Sequence, residues 1–259
     1  MPPFTSIVTG ANQGIGLEIA RQLVRRPDSR TVVAARNPER GQAAVADLKS
    51  HLPAADIRFH QLDITDADSV QLGSINALIN NAGFAFKGNA FGGQEAETTL
   101  GVNYWGTKRV CTALEPLLSD GGRIINVCSA AGKLSIVRDA ALRKRFEECA
   151  SLQELDELAD GFVAAVSLGN HRQHGWPDTM YGVSKLCEAT LTRILARRLA
   201  PRCICVEAMC PGWCSTNMSS YKGPRSAAEG ADTAAWLATE APLTPGEAHF
   251  WRDRAQEGF

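Results

Sequence analysis

The glycine-rich stretch TGANQGIG at positions 9–16 directly follows the short apolar run FTSIV at positions 4–8. An amphipathic stretch from about Ile15 to Arg25 comes next, so the glycines stand between a predicted strand and a predicted helix. Glycine permits a tight turn, lets backbone N–H groups approach a pyrophosphate, and precedes a helix N-terminus that favours an anion. The stretch predicts a dinucleotide-binding loop; a glycine-rich turn without a ligand is the alternative.

The alternation of strand and helix patterns continues along the chain. Further strands are predicted at 31–34, 57–59, 77–79, 123–127 and 204–208, and helices at about 39–50, 95–118 and 179–200. Such alternation needs crossover connections and hence a parallel sheet covered on both faces. We expect one α/β domain spanning 1–259, a doubly wound parallel sheet of the Rossmann type with a helical insertion at about 133–176.

Composition and charge exclude several classes of protein. The chain has 259 residues, 44% hydrophobic and 21% charged, with a formal net charge of -1, unlike the basic excess of a nucleic-acid binder. No apolar run reaches the roughly 18 residues of a membrane span, and no secretory leader pattern precedes Phe4. The eight cysteines show no zinc-ribbon spacing, so we expect reduced thiols, no metal site and a cytoplasmic protein.

The end of the second predicted strand, Val33 to Arg36, indicates which dinucleotide is bound. NAD-preferring folds place an acid there to bind the ribose 2′-hydroxyl, and this chain has none. Ala35 removes the repulsion of a carboxylate, and Arg36 offers a planar fork suited to a 2′-phosphate. We therefore expect NADPH (NADP when oxidised) rather than NADH, with a solvated surface arginine as the alternative.

A tyrosine and a lysine four residues apart indicate proton-transfer chemistry. Tyr181 and Lys185 form a Y-x-x-x-K pattern that places both side chains on one helix face. A nearby ammonium, together with an oxidised nicotinamide, favours the phenolate and is expected to lower the tyrosine pKa from about 10. Tyr181 is thus a candidate general acid for a carbonyl oxygen.

The order of these motifs resembles the short-chain dehydrogenase/reductase family over nearly the whole chain. The glycine loop is followed by NNAG at 80–83, Asn103, Ser129, the Y-x-x-x-K pattern and PG at 211–212. The resemblance implies a catalytic tetrad of Asn103, Ser129, Tyr181 and Lys185. Ser129 would bind the substrate carbonyl, Lys185 the nicotinamide ribose, and Asn103 a water.

The implied cofactor contacts extend over five loops and the helix that carries the Y-x-x-x-K pattern. They are Gly10, Asn12, Gln13, Gly14, Ile15, Gly16, Arg36, Asp63, Ile64, Asn81, Ala82, Gly83, Tyr181, Lys185, Pro211, Gly212, Cys214, Ser215 and Thr216.

The long segment before Tyr181, ending in GWP at 175–177, resembles the cytosolic carbonyl reductases of animals and plant reductases of terpenoid and alkaloid ketones. In that subgroup the insertion covers the helix that holds Asn103, which implies a monomer. Phe86, Lys87, Trp213 and Met218 would line the substrate side with Ser129, although Trp213 is equally compatible with a core aromatic.

Two departures from the family pattern are informative. Gln13 stands where NADPH-preferring carbonyl reductases usually have lysine, which predicts a weaker preference for NADPH over NADH. Only 17 positions separate Asp63 from Asn80, where the family has a full helix. We expect a short helix capped by Asp66 or Asp68, with Val70, Leu72 and Ile75 covering the sheet; an unstable form is the alternative.

These patterns predict an NADPH-dependent oxidoreductase that reduces ketones, aldehydes or quinones to alcohols or hydroquinones by hydride transfer. Its partner is a small-molecule carbonyl compound, neither nucleic acid nor membrane. Two alternatives stay open: a ketone reductase or alcohol dehydrogenase with one dedicated substrate, and a cofactor-binding protein without turnover.

Overall fold

An eight-stranded sheet forms the centre of the protein; the computed structural model describes residues 2–65 and 74–259. The strands are β1 (Phe4–Thr9), β2 (Ser29–Ala35), β3 (Asp56–Gln61), β4 (Ile75–Asn80), β5 (Leu118–Val127), β6 (Cys205–Met209), β7 (Phe250–Arg252) and β8 (Ala255–Glu257). Their order is β3-β2-β1-β4-β5-β6-β7-β8, and every neighbouring pair is parallel except β7 and β8. The predicted doubly wound parallel sheet is confirmed, with an added antiparallel edge strand.

Helices cover both faces of this sheet. They are α1 (Gly14–Leu23), α2 (Pro38–His51), α3 (Gly93–Leu100), α4 (Thr107–Leu114), α5 (Ala140–Glu148), α6 (Leu152–Ser167), α7 (Met180–Leu199) and α8 (Ala227–Thr239). Neighbouring strand residues point to opposite faces: Ile7 packs in the core with α3, α4 and α7, whereas Val8 packs with α1, α2 and α8. The strand order reverses between β1 and β4, which places a crevice at their carboxyl ends.

The predicted helical insertion is present and has its own apolar centre. It contains α5 and α6, and Trp176 lies 5.3 Å from Phe162 and 6.0 Å from Phe146 between ring centroids. Ser151 and Glu154 form a capping box that begins α6. Asp156 of α6 then accepts hydrogen bonds from Tyr104 and Lys108, so the insertion lies against the helical segment that carries Asn103.

The shortened crossover after β3 is only partly described. Ile75 lies in β4 and is wholly buried. Asp66, Asp68, Val70 and Leu72 lie outside the described residues. Just before them, the backbone oxygen of Ile64 accepts a 2.6 Å hydrogen bond from Arg109 of α4, a contact that sequence analysis did not predict.

Replacing Asp156 with alanine is expected to lower the free energy of unfolding by about 1–3 kcal/mol. The phenol of Tyr104, a fully buried residue, donates to Asp156 over 2.9 Å and would lose its acceptor. Urea denaturation measures the change, with Asp160→Ala on the exposed side of the same helix as the control. Equal effects of the two substitutions would contradict this docking contact.

Candidate active site

Three glycines shape the loop between β1 and α1. Gly10 and Gly14 have φ values of 63° and 57°, a left-handed conformation that strains other residues. A Cβ on Gly16 would lie 2.4 Å from Asn81 Nδ2 and 2.6 Å from the Gly10 oxygen. The loop therefore takes this path because the positions hold glycine.

Thr9 joins the glycine loop to the segment after β4. Its buried hydroxyl accepts hydrogen bonds of 3.0 Å from the backbone N–H groups of Asn81 and Ala82. The Asn81 amide donates in turn to the Thr9 backbone oxygen over 2.9 Å. The predicted cofactor residues Asn81, Ala82 and Gly83 thus lie beside the glycine loop, and Thr9 is a positioning residue that sequence analysis missed.

The N-terminus of α1 fits a pyrophosphate. The helix begins at Gly14 with Gln13 as its N-cap, no side chain caps it, and its first turn contains no acid. Its first amide groups therefore remain available to an anion. A Cβ on Gly14 would lie 3.4 Å from the Thr216 methyl group, so the loop at 12–16 faces Thr216 across a narrow cleft. The residues present fit a dinucleotide.

The predicted adenosine end lies at the carboxyl ends of β2 and β3. Ala35 is buried and Arg36 is exposed immediately after it. Asp63 accepts hydrogen bonds from the Thr65 backbone and hydroxyl over 2.9 and 2.7 Å. Although burial opposes it, these bonds and the nearby Arg36 charge hold the pKa of Asp63 below its ordinary value. Arg36 and Asp63 therefore present opposite charges where the adenosine ribose is expected.

The predicted catalytic side chains converge at the start of α7. Tyr181 and Lys185 lie on one face, with the Lys185 Nζ 5.9 Å from the Tyr181 ring centroid. Ser129 follows β5, and its hydroxyl lies close enough to the Tyr181 phenol to act against the burial that raises the pKa of that phenol. Gly132 fits directly against the Lys185 backbone, where a Cβ would come within 2.5 Å, so the turn carrying Ser129 is packed onto α7.

Asn103 lies in a π-helical turn, Gly101–Gly106, between α3 and α4. Its amide nitrogen donates to the Phe84 oxygen over 2.9 Å and to the Ser184 hydroxyl over 2.8 Å. Its amide oxygen accepts from the Phe84 backbone over 2.7 Å. Asn103 therefore fixes the loop after β4 to the first turn of α7, while its predicted role in holding a water stays a prediction.

The pKa of Tyr181 is raised above its ordinary value in this structure. Burial is the largest cause, and the Lys185 charge acts against it. Lys185 acts in the expected direction, and burial outweighs it. The net decrease, which was expected from Lys185 together with an oxidised nicotinamide, stays a prediction. Tyr181 is accordingly a phenol at neutral pH, the form that donates a proton.

A buried carboxylate that sequence analysis missed completes the surroundings of Lys185. Lys185 Nζ lies 2.6 Å from Glu188 Oε2 and donates to the Val127 oxygen over 3.0 Å. Nearby, the Asn80 amide donates to Asn126, which donates to Thr192 of α7, each over 2.8 Å. The carboxyl edge of the sheet is therefore held to α7 by buried polar contacts.

Three of the predicted substrate residues are exposed apolar side chains. Trp213 is 60% exposed, Met218 47% and Phe86 37%, so the interpretation of Trp213 as a core aromatic is wrong. Lys87 Nζ donates to Asn217 Oδ1 over 3.3 Å, which joins the loop after β4 to the loop after β6. The two loops thus meet beside the crevice.

The residues after β6 divide into side chains that face the cleft and side chains that do not. Gly212 has a φ of 77°, and Thr216 faces Gly14. The buried Cys214 thiol donates to the Pro211 oxygen over 3.2 Å, and the Ser215 hydroxyl donates to the Tyr221 oxygen over 3.2 Å. The side chains of Cys214 and Ser215 are therefore occupied within the protein, and their contacts with a cofactor stay a prediction.

Residues 2–65 and 74–259 contain neither a metal cluster nor a membrane-spanning helix. No group of three or more His, Cys, Asp or Glu side chains there could hold a metal ion. No helix in the same ranges is long and apolar enough to cross a membrane.

Comparison with known proteins agrees with this geometry. A family profile described as short chain dehydrogenase matches residues 5–141. Carbonyl reductase (NADPH) 3 from Mus musculus is 40% identical, covering 92% of this chain and 91% of the relative. Carbonyl reductase (NADPH) 1 from Homo sapiens is 39% identical, covering 93% and 92%.

Solved structures give the same result. Salutaridine reductase from Papaver somniferum superposes with a TM-score of 0.84 at 28% identity, covering 96% of this chain and 99% of that structure. Menthone neomenthol reductase from Mentha piperita has a TM-score of 0.80 at 26% identity, with the same coverage. The chain therefore belongs to the short-chain dehydrogenase/reductase family and is carbonyl reductase-like.

Proposed function

We propose that this protein is an NADPH-dependent carbonyl reductase. The observation that carries the proposal is the convergence of Tyr181, Lys185 and Ser129 beside the glycine loop, in a chain about 40% identical to carbonyl reductases. NADPH, when bound, supplies the hydride. Tyr181 gives its proton to the carbonyl oxygen, Ser129 donates a hydrogen bond to the same oxygen, and Lys185 holds a positive charge beside the phenol.

The cofactor would be held along the carboxyl edge of the sheet. The loop at 10–16 binds the pyrophosphate, Arg36 the 2′-phosphate, and Asp63 with Ile64 the adenine. The segment at 81–83, Lys185 and Thr216 hold the nicotinamide half, with 211–215 contributing backbone groups. The glycine cradle, the uncapped N-terminus of α1 and the exposed Arg36 support this arrangement.

The substrate is a small carbonyl compound of apolar or aromatic character. The exposed rim of Phe86, Trp213 and Met218, with Lys87 at its edge, offers apolar surface and one cation beside the crevice. Such a lining suits quinones and aromatic ketones. A dedicated substrate would appear as activity confined to one compound, and a protein without turnover would bind NADPH yet reduce nothing.

The test is consumption of NADPH, with NADH in parallel, against a panel of quinones and aromatic ketones. Turnover that is faster with NADPH is the expected result. A folded protein that binds NADPH but reduces no member of the panel would contradict the proposal.

Replacing Arg36 with leucine is expected to raise the KM for NADPH by about 10- to 100-fold, because a charge-assisted contact to phosphate is lost. The KM for NADH should stay nearly constant, since NADH has no 2′-phosphate. Arg40→Leu on the adjacent exposed turn is the matched control. Equal increases in the KM for NADPH and for NADH in Arg36→Leu would show that Arg36 does not bind the 2′-phosphate.

We also infer a monomeric, cytoplasmic enzyme. Contacts from Asp156 to Tyr104 and Lys108 keep the insertion on the α3–α4 segment, which supports the monomer because that surface is no longer available to a second copy. All eight cysteines are free, and seven of them are buried, which suits a reducing compartment.

A further inference from the structure

Glu188 is a carboxylate buried one helical turn after Lys185. It is fully buried, and its Oε2 lies 2.6 Å from Lys185 Nζ. Its Oε1 accepts a 3.3 Å hydrogen bond from Thr107 of α4. The side chain is therefore held from two elements, and its charge faces the lysine of the Y-x-x-x-K pattern.

The Lys185 ammonium lies between Glu188, the Val127 oxygen and the segment around Gly83. The ammonium forms an ion pair with Glu188 and donates a hydrogen bond to the Val127 oxygen. A Cβ on Gly83 would lie 3.5 Å from Nζ and 3.4 Å from Asn103 Oδ1, so the ammonium borders the cofactor segment. Glu188 and Val127 thus hold the ammonium beside that segment.

The other ionisable groups around Glu188 are neutral thiols and the phenol of Tyr181. Among the described residues, the charged group that faces Glu188 is Lys185. Burial raises the pKa of each neighbouring thiol, on α4, after β5 and on α7. These thiols belong to Cys111, Cys128 and Cys187.

Lys185 and Glu188 act on Tyr181 in opposite directions. The ammonium lowers the pKa of Tyr181, and the Glu188 carboxylate raises it. Burial raises the pKa of Glu188 itself, with Lys185 and Thr107 acting against that rise, so Glu188 is charged in alkaline solution. In that range the carboxylate offsets part of the effect of the ammonium charge on the phenol.

We propose that Glu188 is a positioning residue that holds the Lys185 ammonium in place and, by its charge, keeps Tyr181 protonated, so that the site favours carbonyl reduction over alcohol oxidation into the alkaline range. Reduction requires the phenol, and oxidation of an alcohol requires the phenolate. The inference rests on the proposed function, because it concerns the proton donor of that reaction.

The kinetic test compares the pH profiles of kcat/KM for carbonyl reduction in the wild type and Glu188→Gln. The alkaline limb of the variant is expected to lie about one pH unit lower, a tenfold change in the phenolate fraction at a given pH. The acid limb of alcohol oxidation moves down with it. Glu188→Asp, which withdraws the charge by one methylene group, is expected to fall between the two.

Glu207→Gln is the matched control. Glu207 is also fully buried, but it lies on β6 and accepts hydrogen bonds from the His249 backbone and the Trp251 indole over 2.7 and 2.9 Å. Neutralising Glu207 should leave the alkaline limb of carbonyl reduction and the acid limb of alcohol oxidation at the same pH as in the wild type. Limbs that are unmoved in Glu188→Gln, or that move equally in Glu207→Gln, would overturn the inference.

A second measurement is independent of turnover. Phenolate absorbance is titrated in each protein, with and without NADP, and the spectrum of the same protein carrying Tyr181→Phe is subtracted. A lower midpoint in Glu188→Gln than in the wild type is the expected result. If the wild type shows no reductase activity, the proposed function fails while this titration still decides the role of Glu188; equal midpoints would reject that role.

Discussion

Replacing Tyr181 with phenylalanine is expected to lower kcat/KM for carbonyl reduction by about 100- to 10,000-fold, the usual contribution of a general acid. The substitution removes the hydroxyl beside Ser129 and Lys185 and leaves the ring in place. Because the glycine loop and Arg36 are untouched, NADPH affinity measured by fluorescence titration should change little. The loss should therefore appear in the chemical step.

Tyr221→Phe provides the matched control for this experiment. Tyr221 is 69% exposed and undergoes the same loss of one hydroxyl. Turnover of Tyr221→Phe should remain close to that of the wild type. Normal turnover by Tyr181→Phe would show that Tyr181 is not the proton donor.

Replacing Gly16 with alanine is the second change with a large expected effect. The added Cβ would lie 2.6 Å from the Gly10 backbone oxygen and 2.4 Å from the Asn81 amide, closer than real contacts allow. Either the loop shifts or the contact between Asn81 and Thr9 breaks. We expect the Kd for NADPH to rise at least about tenfold and the free energy of unfolding to fall by about 1–3 kcal/mol.

Gly101→Ala is the control for the glycine substitution. Gly101 has a right-handed φ of -54°, and apart from its chain neighbours and its own helix backbone no atom lies within 4 Å of its added Cβ. Alanine there should be neutral or stabilising by up to about 1 kcal/mol. Calorimetry and NADPH titration of both variants separate a steric effect at Gly16 from a general cost of losing glycine. Wild-type affinity in Gly16→Ala would show that the loop does not depend on close approach.

Sequence analysis predicted the features that depend on local rules. Gly10 lies in the turn after β1, and Gly14 and Gly16 lie in the first turn of α1, where a positive φ or a close approach requires glycine. Tyr181 and Lys185 lie four residues apart, which places them on one helix face. These features were predictable because each depends on residues close together in the chain.

Features that depend on distant contacts were missed. Thr9 gains its role from amides more than seventy residues away. The net pKa of Tyr181 depends on burial by the whole fold, which no short motif reveals. Glu188 did carry a signal: it lies three residues after Lys185 and seven after Tyr181, a spacing that keeps all three side chains on one helix face.

The C-terminal elements were also missed, for two different reasons. The helix α8 is rich in alanine and lacks strong apolar periodicity, although Ser226 and Glu229 form a capping box that predicts its start. The strands β7 and β8 contain three residues each, too few for alternation to be recognised. The antiparallel edge therefore became visible only in the folded protein.

The most direct test of carbonyl reduction is the transfer of deuterium to a ketone from NADPH that carries deuterium at both positions of C4. The wild type is run beside Tyr181→Phe, and the alcohol is analysed by mass spectrometry. The account predicts one deuterium on the former carbonyl carbon for each NADPH consumed by the wild type, and almost no product from the variant. NADPH consumption without deuterium in the alcohol, or equal labelled product from both proteins, would contradict it.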